Sequence, residues 1–113
     1  MKIRIPTLAF TLLFFILLSG CSDEVRINSV AFSETLTLKS ENKHQHTIWL
    51  AFNGRVEGVA RISLMLEGKP YKTEELNGDI NFEWRTDWYS SEAILEYEHG
   101  TAKGGSLTIN YGF

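Results

Sequence analysis

The chain after residue 24 alternates apolar and polar residues over many short segments. In residues 79–85, Ile80, Phe82 and Trp84 fall on one face, and polar side chains fall on the other. This two-residue period is typical of a strand that buries one face, and no segment after residue 24 sustains the 3.6-residue period of a helix. We predict further strands in residues 47–52, 56–67, 93–98 and 106–113, with weaker candidates in residues 25–32, 35–39 and 71–76.

Turn-forming residues separate these segments. Asn77-Gly78 stands between two alternating segments and predicts a two-residue hairpin turn, because both turn positions require positive φ. Gly68-Lys69-Pro70 separates two more segments, and proline is excluded from the interior of a central strand because it has no N–H donor. Seven or eight short strands at a spacing of about ten residues predict an all-β fold, either a small antiparallel β-sandwich or a small barrel.

The predicted core is rich in aromatic side chains. The chain has one cysteine, so an internal disulfide is excluded, and a domain of about 90 residues without such a crosslink is only marginally stable. Large buried side chains must therefore supply most of the stabilising surface. The alternating segments place six aromatic residues on the predicted buried faces, namely Phe52, Phe82, Trp84, Tyr97, Tyr111 and Phe113.

Residues 1–20 differ in composition from the rest of the chain. Lys2 and Arg4 are the charged residues of this segment, and residues 8–18 contain a single polar residue, Thr11. An apolar run of eleven residues is too short to cross a bilayer as a helix, which takes about 20 residues. A basic start, a short apolar run and then small residues are typical of a secretory signal peptide.

The end of this segment, Leu18-Ser19-Gly20-Cys21, resembles the lipobox of bacterial lipoproteins. The resemblance implies cleavage just before Cys21, attachment of a diacylglycerol to its thiol, and a further acyl chain on its new amino group. Two or more acyl chains form a stable membrane anchor. By this resemblance residues 1–20 are removed, residues 21–24 are the acylated cysteine and a short tether, and residues 25–113 form a single β-sandwich-like domain.

Ser22 follows the cysteine of this motif. In the lipoprotein family, aspartate at this place favours retention in the inner membrane, so the resemblance implies transport to the outer membrane, with the domain facing the periplasm. The length of the tether stays open at this point. A strand that begins at Val25 leaves about 10 Å between the lipid and the fold, whereas an unpaired linker over residues 25–33 extends this reach to about 40 Å.

Charge and motifs exclude several classes of function. Residues 21–113 carry nine basic and fourteen acidic side chains, a formal charge of −5, which argues against nucleic acid as a partner. No nucleophile elbow, P-loop, dinucleotide fingerprint or H-E-x-x-H motif occurs, so we predict no enzyme activity and no cofactor. His44 and His46 form an H-x-H pair and His99 lies elsewhere, but this spacing matches no zinc-ligand set, and we predict no metal site.

Asp87-Trp88-Tyr89 is the candidate partner-binding segment. Two adjacent large aromatic residues between strands cannot both face the core, and exposed Trp and Tyr side chains are typical of protein-binding surfaces. The alternative is a turn in which Trp88 or Tyr89 folds back to cap the core. Trp49 is a second candidate, because it faces away from its apolar neighbours along the strand, either in a second buried layer or in an exposed patch.

These features favour a lipid-anchored, non-enzymatic module that binds another protein of the bacterial envelope. Small size, acidity and an aromatic loop suggest an inhibitory or immunity-like role, by analogy with other small lipoproteins. A structural or accessory subunit of an envelope assembly is the alternative. A third hypothesis is a periplasmic ligand or metal carrier that uses His44 and His46.

Overall fold

The computed structural model describes residues 23–41, 44 and 46–113. These residues form strands and, within those ranges, no helix, which confirms the predicted all-β antiparallel class. The signal peptide and lipobox predictions, including the role of Cys21, lie outside the described residues. In the part of the chain that is described, no helix is long and apolar enough to cross a membrane. The strands are β1 (Asp23–Ile27), β2 (Glu34–Lys39), β3 (Thr47–Leu66), β4 (Lys69–Asp87), β5 (Glu92–Glu98) and β6 (Gly104–Gly112).

The strands are fewer and longer than the pattern predicts, because two pairs of predicted strands are continuous. β3 has 20 residues and β4 has 19, and each spans two of the alternating segments. Asn77-Gly78 lies inside β4, so the prediction of a hairpin turn there is wrong. Gly78 has a φ of 78°, but this positive φ serves an irregularity within a strand and not a reversal of the chain.

Near Gly78 the β3–β4 hairpin is irregular on both strands. The pairing register shifts between Val56 and Ala60, which lie opposite Gly78 and Leu76. Gly58, inside the shifted segment of β3, has a φ of 116°, which residues other than glycine rarely adopt. Bulges of this kind bend a strand and increase its twist, so this is where the long hairpin changes direction.

The turn of this hairpin is at Glu67 and Gly68. Their φ angles are 52° and 80°, as a two-residue type I′ turn requires. The predicted break near Gly68 is therefore present, one residue earlier than the Gly68-Lys69-Pro70 group. Pro70 is the second residue of β4 and pairs with Met65; β4 has β3 as its paired strand, so the missing N–H of Pro70 is tolerated at an edge.

β3 is the strand around which the sheet is organised. β4 lies along one side of it, while β6 pairs with its first half and β5 with its second half on the other side. β1 extends the sheet beyond β6, and β2 extends it beyond β5, with every pairing antiparallel. The sheet therefore has two halves that share the β3–β4 hairpin, one carrying β6 and β1 and the other carrying β5 and β2.

The two halves of the hairpin fold back on each other. The hydroxyl oxygens of Tyr71 and Thr86, near the two ends of β4, lie 3.2 Å apart, whereas fifteen residues of straight strand span about 50 Å. Apolar side chains from both halves therefore pack into one continuous core. Its fully buried members include Ile27, Leu38, Leu50, Phe52, Ile62, Leu64, Leu95, Tyr97, Leu107 and Ile109.

The six aromatic residues predicted for the core lie at two depths. Phe52 and Tyr97 are fully buried, and the other four are partly buried against the core. The Phe52 ring stacks on Phe82 with 4.5 Å between centroids and contacts the Trp84 ring edge-on at 4.9 Å. Phe82 and Trp84 belong to the edge strand β4 and are partly buried.

The sheet begins immediately after the predicted lipid attachment site. β1 starts at Asp23 and pairs with β6 from that residue, with Asp23 opposite Tyr111. An unpaired linker that starts at residue 25 is therefore excluded, and Ser22 is the one residue between Cys21 and the sheet. The connection to β2 is also fixed, because the buried Val30 carbonyl accepts a 2.6 Å hydrogen bond from the Tyr97 hydroxyl.

Candidate functional site

An apolar groove of about 480 Å³ lies where the two ends of the folded hairpin come together. One wall comes from the end of β3 and the start of β4, and the other from the segment that follows β4. The groove opens at the end of the sheet where β1 and β3 begin and where β4 and β6 finish, which we call the groove end. The residues that line this aromatic groove are Leu66, Tyr71, Asp87, Trp88, Tyr89 and Ser90.

Trp88 forms the floor of the aromatic groove and caps the core. Its side chain is only 5% exposed, and its indole N–H donates a 3.0 Å hydrogen bond to the Glu92 carbonyl. Its backbone N–H donates to the carbonyl of His46 at 2.8 Å. These bonds hold the segment after β4 in place. Because its side chain is almost fully buried, Trp88 itself leaves little area for contact with a partner.

Tyr89 points in the opposite direction from its neighbour. Its side chain is 74% exposed, and its ring lies edge-on to the His46 imidazole at 6.0 Å between centroids. Asp87, the last residue of β4, is exposed at the rim of the aromatic groove. Of the adjacent aromatic pair, one ring therefore enters the core and the other faces solvent.

Tyr71 and Leu66 complete the aromatic groove, and neither was predicted from the sequence. Their side chains are 47% and 42% exposed. The Tyr71 ring lies 6.3 Å from that of Trp88, and the Lys72 ammonium lies 6.0 Å from the Tyr71 centroid. No local signal marks either residue, because their approach to Tyr89 depends on the bend of the hairpin at Gly58 and Gly78, eight and seven residues away along the two strands.

Trp49 lies outside the aromatic groove. It is partly buried on the outer face of β3, opposite to the buried Ile48 and Leu50. Its indole N–H donates to a Glu83 carboxylate oxygen at 3.4 Å, across the pair of strands. The structure therefore does not bring Trp49 together with the other candidate partner-binding residues.

The three histidines are not assembled into a ligand set. His46 contacts Tyr89 at the groove end, whereas the backbone N–H of His99 donates to the Ser33 hydroxyl in a loop at the opposite end of the sheet. Among residues 23–41, 44 and 46–113, no group of three or more His, Cys, Asp or Glu side chains is placed to hold a metal ion.

The pKa values of two tyrosines are raised, and the structure explains both shifts. Burial raises the pKa of Tyr97, whose hydroxyl donates to the Val30 carbonyl. Burial raises the pKa of Tyr111 as well, with a smaller contribution from the negative charge of Asp23 on the paired strand. Neither residue lines the aromatic groove.

Comparison with known proteins identifies a shared fold. No protein-family model and no curated protein matches the chain. Among solved structures, PirA aligns with 80% of this chain and 93% of its own at 15% identity and a TM-score of 0.52. A CBM4 structure aligns over 68% of this chain at 10% identity and a TM-score of 0.45, and this chain covers 56% of it.

A third similar structure is PliG of Aeromonas hydrophila, a periplasmic inhibitor of g-type lysozyme. It aligns with 80% of this chain and 86% of its own, at 13% identity and a TM-score of 0.45. At 15% identity the likeness to PirA supports the all-β architecture of this chain and shows nothing about its ligand.

Proposed function

We propose that this chain is a non-enzymatic binding module, anchored by lipid at Cys21 in the bacterial envelope, that recognises another envelope protein through the aromatic groove. One observation carries the proposal. Of the six large apolar side chains exposed among the described residues, three, Leu66, Tyr71 and Tyr89, converge on this groove. Exposed apolar surface that is contiguous and concave is typical of interaction sites.

The aromatic groove is also held in a defined shape before any partner arrives. The Tyr71–Thr86 hydrogen bond joins its walls, and the buried Trp88 fixes its floor. A preformed site loses less conformational entropy on binding than a flexible one. Tyrosine adds rigid contact area with a polar tip, which is why it is enriched at the centres of protein interfaces.

The charge of the aromatic groove suggests the chemistry of the partner. Asp87 places a carboxylate at the rim, and the chain as a whole is acidic. An apolar side chain flanked by lysine or arginine would fill the groove and pair with Asp87. Such complementarity increases the rate of association and the selectivity between partners more than the affinity itself.

Site-specific photo-crosslinking in living cells tests this proposal. A photo-crosslinking amino acid replaces Tyr89 in the full chain, and adducts are identified by mass spectrometry. The control position is Phe32, which is 70% exposed but lies in the β1–β2 connection at the other end of the sheet. We expect a discrete protein adduct from position 89 that is absent from position 32. A folded, membrane-bound variant that gives no adduct, or the same adducts at both positions, contradicts the proposal.

Two further measurements test the lipid anchor and distinguish an inhibitor from an accessory subunit. Cys21→Ser removes the acylation site and should move the chain from the membrane fraction to the soluble fraction. An inhibitory or immunity-like protein should give its adduct only when the target is present. An accessory subunit should instead give a constant adduct with one large assembly in unstressed cells.

A further inference from the structure

The proposed lipid attachment and the aromatic groove are at the same end of the sheet. Ser22 is the single residue between Cys21 and the first residue of β1. Two residues of extended chain reach about 7 Å. The groove end of the domain therefore cannot stand clear of the bilayer that holds the acyl chains.

The pairing register shows how far the groove end extends beyond the tether. Asp23 pairs with Tyr111, Tyr111 with Leu50, and Leu50 with Trp84, so these residues form one row across the sheet. β4 continues three residues past this row, from Trp84 to Asp87. At about 3.4 Å per residue, its end lies about 10 Å beyond the level of Asp23, which is farther than the reach of about 7 Å from Asp23 to Cys21.

From this geometry we infer that the partner bound in the aromatic groove is a protein of the same membrane, integral or lipid-anchored, recognised at the level of the lipid headgroups. The inference rests on the proposed function. A freely diffusing periplasmic protein would have to enter between the domain and the bilayer to reach Tyr89. A partner already held in that membrane meets the groove there, and restriction of both proteins to one surface raises their effective concentration.

The residues of the groove end favour a protein as the occupant over the bilayer itself. Tyr89 and Tyr71 have the apolar body and polar tip that suit the interfacial region. However, the charged residue among those that line the aromatic groove is the acidic Asp87, and Asp23 begins the first strand. Carboxylates are unfavourable against negatively charged headgroups and costly to bury in lipid, whereas a basic protein side chain compensates them.

Two tether variants of the full chain test this inference, each with the photo-crosslinker at position 89. Both insert twelve residues between Ser22 and Asp23. A proline-rich insert is semi-rigid and holds the domain about 37 Å from its anchor, whereas a Gly-Ser insert of equal length is flexible and has a mean span of about 19 Å. The two variants therefore differ in stiffness and not in the number of residues added.

We expect the proline-rich tether to reduce the yield of the adduct at least tenfold, and the flexible tether to keep it within about threefold of the native yield. The crosslinked protein should be an integral or lipid-anchored membrane protein. A full yield with the rigid tether means that the partner diffuses freely, and it overturns the inference while the proposed function stands. Adducts to lipid in place of protein overturn it as well.

The Cys21→Ser chain provides a measurement that leaves β1 unaltered. Without acylation the partner is no longer local, so the adduct should fall at least tenfold at equal expression. An undiminished adduct contradicts the inference. If the native chain gives no adduct at position 89, the proposed function itself fails, which is a different result from an adduct that is insensitive to the tether.

Discussion

The hydroxyl oxygens of Tyr71 and Thr86 lie 3.2 Å apart, although fifteen residues of one continuous strand separate them. This contact joins the two halves of β4 across the aromatic groove. Tyr71, on one wall, and Tyr89, on the other, line this groove together. The shape of the groove is therefore a property of the bent hairpin and not of any single loop.

Two substitutions of Tyr71 should distinguish its contribution to partner binding from its contribution to stability. Tyr71→Phe removes the hydrogen bond but keeps the ring, and since the pair is exposed the free energy of unfolding should change by less than about 1 kcal/mol. Tyr71→Ala also removes the ring that forms one wall. The crosslinking yield from position 89 should therefore fall sharply with Tyr71→Ala and remain with Tyr71→Phe. Equal yields from the two variants would show that the ring makes no contact with the partner.

Trp88 and Tyr89 should behave oppositely when replaced by alanine. Trp88→Ala opens a cavity below the aromatic groove and should cost about 3–5 kcal/mol, a large share of the 5–15 kcal/mol that stabilises a typical domain. Tyr89→Ala removes a side chain that is 74% exposed and should change stability by less than about 0.5 kcal/mol. Urea denaturation of the two variants tests this pair, and a stable Trp88→Ala chain would contradict its role as a core cap.

The buried Tyr97–Val30 hydrogen bond should contribute more to the free energy of unfolding than hydrogen bonds on the surface do. Tyr97→Phe leaves the buried Val30 carbonyl without the 2.6 Å bond it receives from the phenol. An unsatisfied buried acceptor costs about 1–3 kcal/mol. Thermal unfolding should show a lower midpoint for Tyr97→Phe and almost none of this loss for Tyr89→Phe. A midpoint unchanged from the native chain would mean that water replaces the phenol.

Stability should decrease in alkaline solution because of the same tyrosine. Burial raises the pKa of Tyr97 above its unfolded value of 10.0, so the unfolded chain releases this proton first. The contribution is complete below about pH 10 and is lost as pH rises through the folded pKa, by up to about 1.4 kcal/mol per pH unit. Tyr97→Phe should flatten this part of a pH titration of the unfolding free energy. A slope unaffected by Tyr97→Phe would assign the alkaline loss to other groups.

Replacement by alanine should destabilise the bend of the hairpin more at Gly58 than at Gly78. Gly58 has a φ of 116°, and a Cβ there would press against the Thr101 carbonyl oxygen, whereas at Gly78 the φ is 78° and no atom lies within 4 Å. Gly78→Ala should therefore cost about 1 kcal/mol, from backbone strain alone. Gly58→Ala should cost about 3 kcal/mol, from strain and steric conflict. Chemical denaturation compares the two, and equal losses would remove the argument that the Thr101 contact is tight.

The faces of the strands could be predicted from the sequence. The alternation around Ile48, Leu50 and Phe52 indicates which side chains are buried, and the structure buries all three. This works because one buried face imposes a period of two on the residues of each strand. The all-β class follows from the same pattern, repeated along the chain.

The bend and the aromatic groove could not be predicted in this way. Asn77-Gly78 requires positive φ at Gly78 in a hairpin turn and in a bulge alike, and the choice between them depends on the shifted pairing near Gly58, some twenty residues away. Tyr71 and Tyr89 approach each other only because of that choice. A local pattern carries no information about such long-range pairing.

The position of β6 determines when the sheet can be completed during synthesis. β6 lies between β1 and the first half of β3, so the first strand has no partner, and the first half of the central strand has β4 alone, until residues 104–112 have been synthesised. A sheet built from such distant pairings folds late and slowly compared with one built from local contacts. A nascent chain that ends before β6 can pair β2, β3, β4 and β5, but its β1 still has no strand to pair with, so the last strand of the chain to be made is the one that places the first.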